Sequence, residues 1–296
     1  MRIIISGSTQ TKHIRELFRS MGIECIELSN DSNAVKRKIT NLIKLIRADA
    51  VYNVGGFDVE TNSFYRLANK LHKKVIIHWI GTDVLIQTNA FQSTGKIINS
   101  DVINLAVSKQ LQEELKDIGI DSLYIPIVPA NIPYPPAPPM PSEHAVMVYL
   151  PTGREKFYGW KQVKLLAGKN PQIPFYIVAN NGVKEPVSDN IIFMGMLAHE
   201  DLTALYKKIS ILLRVPEHDG LPVMMLEAQG MGRKVIHNMK FPFVITPENR
   251  SDTALMETFQ RIVAEPPALD MDAKRYIDKT FSQNCIAMLY KENDLV

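Results

Sequence analysis

The sequence predicts two doubly wound α/β domains, each a parallel sheet with helices on both faces, joined by a proline-rich segment. Each half of the chain repeats one rhythm: a short run rich in Ile and Val, a turn with Gly, Ser or Asn, then an amphipathic helix pattern. The segment "PANIPYPPAPPMP", Pro129 to Pro141, carries prolines at seven positions, which exclude helix and inner strand and favour extended polyproline geometry. The length, 296 residues, accommodates two domains of ordinary size.

Taken in order, the first half has expected strands at residues 2–6, 23–28, 50–54, 74–78, 102–107 and 122–127. Helix patterns such as "TKHIRELFRSMG" and "SKQLQEELKDIG" lie between them, each stopped by glycine. The second half has expected strands at 144–150, 175–179, 191–194, 211–215, 234–237 and 243–245. In such sheets ligands bind beyond the carboxyl ends of the strands, and two facing domains make a shared cleft the natural site. Polar, glycine-flanked stretches fall just there: "SGSTQ" with Gly7, "VGGFD", "HWIGTD", "PTGREK", "MGM" at Met194 to Met196, and "PEHDGLPVMMLEAQGMG".

Composition narrows the class. The net charge is +3, which argues against a nucleic-acid binder relying on a broadly basic surface. Residues 1–74 hold thirteen cations against seven acids, so the rest of the chain is slightly acidic. The two cysteines, Cys25 and Cys285, are far apart in apolar patterns and imply neither a disulfide framework nor a zinc site. No H-E-x-x-H metal motif and no G-x-x-x-x-G-K-[ST] phosphate loop occurs, so neither a metal nor a prosthetic group is expected. "MRIIISG" reads as a strand and a turn rather than a signal peptide, and no apolar run approaches the roughly 20 residues that span a bilayer. The expected location is the cytoplasm, including the cytosolic face of a membrane.

The segment from Pro216 to Gly232 places two acids, Asp219 and Glu227, eight positions apart around a Gly-Leu-Pro turn. Pro222 suits the opening of a helix, and the run after it is nearly all apolar. On a helical wheel Glu227 lies between Val223 and Met231. An acid there must be paired or must hold a ligand, and a buried Glu bonded to backbone amides is the plain alternative.

The chain resembles the sugar-nucleotide-dependent glycosyltransferases of the GT-B fold, in particular the retaining "group 1" (family 4) type. "DGLPVMMLEAQGMGRKVI" is similar to that family's acid-x7-acid segment, "LAVSKQLQEELKDIG" to the strand and helix closing its first domain, and "IIFMGMLAHEDLTALYKKISILLRV" to the elements before the acids. The resemblance implies an acceptor-side domain over 1–130, a linker over 131–142 and a donor domain over 143–280. "FSQNCIAMLYKEN" resembles the last helix, within 281–296, which returns to the first domain.

It further implies a nucleoside diphosphate sugar donor, UDP- or GDP-linked, and a glycan or lipid-linked acceptor. Glu227 is assigned to the ribose hydroxyls and Asp219 to the donor sugar. Gly220, Leu221 and the helix N-terminus face the diphosphate, and Gly195 and Met196 the base. The family's G-R-x-x-x-x-K-G motif is kept as Gly153 and Arg154 in "GREKFYGWK", but its lysine is displaced, with Lys156 and Lys161 as substitutes. His78 matches a histidine near the reacting carbon, or else is a strand-end residue bonded to backbone. Asp83 acts as a base or caps the following helix. Two rivals remain: an inverting transferase or epimerase using Asp83, and a non-catalytic donor-binding subunit.

The helix "NAVKRKITNLIKLIR" sets Val35, Ile39, Leu42, Ile43 and Ile46 on one side, with Lys36, Arg37, Lys38, Lys44 and Arg47 elsewhere. Packing on its own sheet is the ordinary expectation. Its charge also suits an anionic membrane surface, to which members of the resembled family dock through a basic first domain.

Overall fold

A computed structural model describes residues 1–130 and 136–296. The first part of the expected linker, 131–135, lies outside the described residues. The chain divides into two compact units: Met1–Asn131 with Asp219–Leu221 and Phe281–Val296, and Ile132–His218 with Pro222–Thr280.

The first unit runs β1 (Arg2–Gly7), α1 (Thr11–Ser20), β2 (Glu24–Ile26), α2 (Ala34–Arg47), β3 (Ala50–Val54), α3 (Ser63–Lys70), β4 (Lys74–Trp79), α4 (Thr82–Thr94), β5 (Ile103–Ala106), α5 (Lys109–Asp117) and β6 (Leu123–Tyr124). All six strands are parallel, in the order β2-β1-β3-β4-β5-β6. The inner strands are buried on both faces, which is why Ile3 to Ile5, Ala50 to Tyr52 and Val75 to Ile77 form unbroken apolar runs. The edge strands β2 and β6 are shorter than their apolar runs, since each has one neighbour. Side-chain caps fix the helix starts: Asn33, Asn62 and Ser108 each accept first-turn amides.

The second unit runs β7 (Val146–Tyr149), α6 (Trp160–Lys169), β8 (Phe175–Val178), β9 (Ile191–Gly195), α7 (His199–Lys208), β10 (Ile211–Arg214), α8 (Val223–Gly230), β11 (Lys234–His237), α9 (Asp252–Val263) and α10 (Met271–Thr280). Its five parallel strands stand in the order β11-β10-β7-β8-β9. Val146, Val148, Phe175, Ile177, Ile211 and Leu213 meet Val163, Leu166 and Phe259 in one core. The twelfth expected strand, 243–245, reduces to one bridge between Ile245 and Ile236. Pro242 lacks an N–H and Phe243 has φ of 58°, so the chain there does not stay extended.

Pro138 and Pro139 are strapped to the second unit by the fully buried Arg233, whose guanidinium donates to both carbonyls at 3.3 and 3.1 Å, while its Nε donates to the Tyr206 carbonyl at 2.9 Å. The final helix, α11 (Gln283–Glu292), belongs to the first unit, where the Tyr290 hydroxyl meets that of Tyr52 at 2.6 Å. Cys25 and Cys285 are free.

The ordinary expectation for α2 fails. Only Leu45 of this helix is buried, while Val35, Ile39, Ile43 and Ile46 are 67, 55, 46 and 60 % exposed and Leu42 is exposed as well. The apolar row faces outward within the first unit, and the helix touches its sheet through a different side. Among the described residues no helix is long and apolar enough to cross a membrane.

Candidate donor site at the carboxyl edge of the second sheet

Helix α8 follows β10 after a loop ending at Pro222, which takes the N-cap position with extended φ and ψ rather than the first helical turn. Proline offers no capping side chain, so the first-turn amides of α8 have no side-chain cap. The helix is apolar nearly all round and therefore buried, from Met225 to Gly230. Helix α10 holds it from behind: Lys274 Nζ donates to the Gly230 carbonyl at 3.0 Å and to Asp278 at 2.8 Å.

Glu227 lies on this helix, 6 % exposed. The Tyr206 hydroxyl of α7 donates to its Oε2 at 2.8 Å and lies 3.2 Å from the Met224 carbonyl. The phenol hydrogen bond from Tyr206 orients the carboxylate. Met225 and Met231 fill core space, as their softness allows.

After β7, the chain turns through Gly153 and Arg154. Glu155 organises this loop: its Oε1 accepts from the Gly153 amide at 2.9 Å and from Asn180 Nδ2 at 3.1 Å, and the Gly153 bond leads in lowering its pKa. The exposed Arg154 lays its guanidinium 4.5 Å from the Phe157 ring centre and 5.2 Å from that of Tyr158. The two proposed replacements for the displaced lysine differ from it. Lys161 Nζ is held by Asp252 at 2.6 Å. Lys156 lines a cavity of about 310 Å³, with Lys161, Glu217, Asn238, Arg250 and Ser251 on its wall. Of the sequence-predicted site residues, Lys156 and Lys161 line that cavity.

Sequence reasoning missed Arg214. It is the last residue of β10, 7 % exposed, with its guanidinium 5.1 Å from the Tyr149 ring centre and 5.5 Å from that of Tyr158. The available signal was a cation ending the otherwise apolar run "ILLRV".

At the end of β9, Gly195 has φ of 65°, and an added Cβ would fall 2.4 Å from Asn181 Oδ1, so only glycine fits. Met196, beside it, is 82 % exposed. These two residues stand at the carboxyl end of β9, two strands from β7 in the sheet.

In the first unit Gly7, His78 and Asp83 are engaged within the fold. Gly7 ends β1 so close to β3 that a Cβ would fall 2.0 Å from the Val54 carbonyl oxygen. His78 corrects the expectation of a sugar-facing histidine: it is fully buried, Nδ1 meets the Tyr52 hydroxyl at 2.6 Å and Nε2 the Ile125 carbonyl at 2.8 Å. Burial drives its pKa down to about 3, so the ring is neutral, and both nitrogens are occupied. Asp83 accepts amide hydrogens from Gly56, Ile80, Gly81 and Val84, between 2.5 and 3.2 Å, which corrects its reading as a base. It ties the loop after β3 to the turn after β4. Asp219 accepts from the Gly220 amide at 3.1 Å, and Leu221 beside them is buried. Asp219, Gly220 and Leu221 group with the first unit, whereas Glu227, Arg154, Lys156, Gly195 and Met196 belong to the second.

No family model matches this sequence, and no curated protein matches it. Solved structures do match in fold. A sucrose-phosphate synthase from Thermosynechococcus elongatus superimposes with a TM-score of 0.68 at 12 % identity, over 99 % of this chain and 98 % of that one. The lipopolysaccharide outer core galactosyltransferase WaaB gives 0.64 at 15 % identity, over 100 % of this chain and 99 % of its own. The chain has the GT-B fold. A TarM variant from S. aureus, in a complex containing UDP, gives 0.59 at 13 % identity over 86 % of this chain and 58 % of its own. At these identities the likeness is one of architecture.

Proposed function

We propose that the protein is a glycosyltransferase that moves a sugar from a nucleoside diphosphate sugar to an acceptor hydroxyl. The observation that carries this reading is the Glu227 carboxylate, buried on α8 and oriented by Tyr206, in a GT-B chain. A carboxylate so held accepts bidentate hydrogen bonds from a vicinal diol, which is what a ribose presents. The uncapped N-terminus of α8 supplies amide donors and positive potential for the diphosphate. Arg154 adds a planar fork that matches phosphate oxygens. Asp219 is assigned to the donor sugar, Gly220 and Leu221 to the diphosphate side, and Gly195 with Met196 to the base.

In the transfer, the bond from the anomeric carbon to the diphosphate oxygen breaks and its electron pair stays on that oxygen. The acceptor oxygen bonds to the carbon and passes its proton to the departing diphosphate. Preorganised donors aimed at the departing oxygen carry the catalysis, each worth about 3 to 4 kcal/mol in comparable sites. The reading takes the reaction as retaining and metal-independent, with UDP favoured as the nucleotide because the TarM complex contains it.

The outward apolar row of α2, with Lys36, Arg47 and Lys38 beside it on the wheel, supports attachment to an anionic membrane and a lipid-linked acceptor. The amide contacts of Asp83 weigh against the epimerase and inverting readings, which use it as a base. The commitment of His78 and Asp83 does favour one second reading, a donor-binding subunit without transfer activity. A thermal-shift series with UDP, GDP, ADP and their sugars tests the binding claim: one nucleotide raises Tm, and none doing so removes the proposal. Release of nucleoside diphosphate from the matching donor separates enzyme from binding subunit.

A further inference from the structure

We infer that Arg214 is a second diphosphate-binding residue of this site, set beside Arg154 on the ring of Tyr158; the inference rests on the nucleotide-sugar reading above. The second sheet has the order β11-β10-β7-β8-β9, so strands are added on one side of β7 and then on the other. The place where that order reverses, between β7 and β10, is where open α/β sheets take their ligands at the carboxyl edge. Tyr149 ends β7 and Arg214 ends β10, and the two meet at this reversal point.

The aromatic framework makes the position a built one. Tyr149 and Tyr158 pack edge to face, centroids 5.3 Å apart, and Phe157 packs edge-on to Tyr158 at 5.2 Å. Arg214 and Arg154 lie 5.5 and 5.2 Å from the centre of the Tyr158 ring. An aromatic face holds a guanidinium by its π cloud and fixes the plane of its N–H fork. One loop tyrosine thus sets the positions of two cations, one from the loop after β7 and one from the strand beside it.

The same arrangement accounts for the missing lysine. In the pattern G-R-x-x-x-x-K-G the lysine falls five residues after the arginine, a position that Gly159 takes in this chain, directly after Tyr158. Lys161 is spent on Asp252, and Lys156 belongs to the cavity wall. Arg214 restores the lost positive charge from a neighbouring strand, and Tyr158, one residue before the lysine's place, packs against it.

The test uses calorimetry on the full chain with UDP, GDP and ADP and with the matching nucleosides. Arg214→Met keeps the length of the side chain and its packing on the tyrosines while removing the charge. It is expected to weaken the best nucleoside diphosphate by at least about 30-fold and to leave the nucleoside unchanged. Arg214→Lys keeps the charge without the fork and is expected to lose about tenfold. A folded Arg214→Met protein that binds the diphosphate within about threefold of wild type overturns the inference. Should that variant not fold, unchanged affinity in Arg214→Lys overturns it. A wild-type protein that binds nucleoside and nucleoside diphosphate equally also overturns it, yet leaves the Glu227 assignment standing. No binding of any of the six ligands overturns the functional reading itself.

Discussion

Replacing Glu227 with Gln probes the donor site at one buried atom. The variant keeps the volume on α8 and an oxygen for the Tyr206 hydroxyl, now 2.8 Å from Oε2. It removes the negative charge and exchanges one acceptor oxygen for an NH2 donor. A hydrogen bond to a charged acceptor contributes about 1.5 to 3 kcal/mol and a neutral one about 0.5 to 1.5. Two bonds to a ribose diol therefore weaken together by about 2 to 3 kcal/mol, a 30- to 150-fold rise in Kd. Calorimetry with the stabilising nucleotide and its 2′,3′-dideoxy counterpart isolates the effect: wild type discriminates between them and Glu227→Gln does not. A folded Glu227→Gln protein that binds the ribonucleotide within about threefold of wild type refutes the ribose assignment.

Other consequences are as definite. The neutral His78 binds a proton only when the chain unfolds, because burial lowers its folded pKa to about 3 against an ordinary 6.5. The unfolded chain binds more protons between those values, so His78 lowers stability as pH falls below about 6.5, by up to ~1.4 kcal/mol per unit, with the effect complete near pH 3. Urea unfolding of wild type and His78→Gln across that window reads the difference in slope, and parallel profiles contradict the assignment. Asp83→Asn removes a carboxylate that gathers four amides and is expected to cost about 2 to 3 kcal/mol of stability. Transfer activity abolished with stability intact would instead return Asp83 to the chemistry. Ile39→Asp with Ile46→Asp alters two exposed positions on α2 and leaves Tm unchanged, but abolishes sedimentation with vesicles containing phosphatidylglycerol. Equal sedimentation of both proteins, or none by wild type, contradicts the membrane proposal.

The alternation of apolar runs and helix patterns was enough to read eleven strands and two parallel sheets, because a strand buried on both faces leaves a continuous Ile and Val signature. It failed at 243–245, where a proline and a positive φ break an apolar stretch that sequence alone reads as extended. That Glu227 is buried and held by a partner was legible because an acid among apolar residues has few fates. The partners of His78 and Asp83 were not, since Tyr52, the Ile125 carbonyl and the Gly56 amide come from other strands and loops. Arg214 escaped for a related reason: its meaning depends on β7 lying beside β10, a pairing across more than sixty residues. The periodicity of α2 was legible, but which side meets the sheet was not. Leu45 makes that contact, and the regular apolar row does not.

Donor turnover is the most direct measurement of the proposed activity. Purified protein incubated with UDP-, GDP- and ADP-sugars is predicted to release nucleoside diphosphate from one class, with the rate lost in Arg154→Gln. Binding of no nucleotide and release from no donor would contradict it.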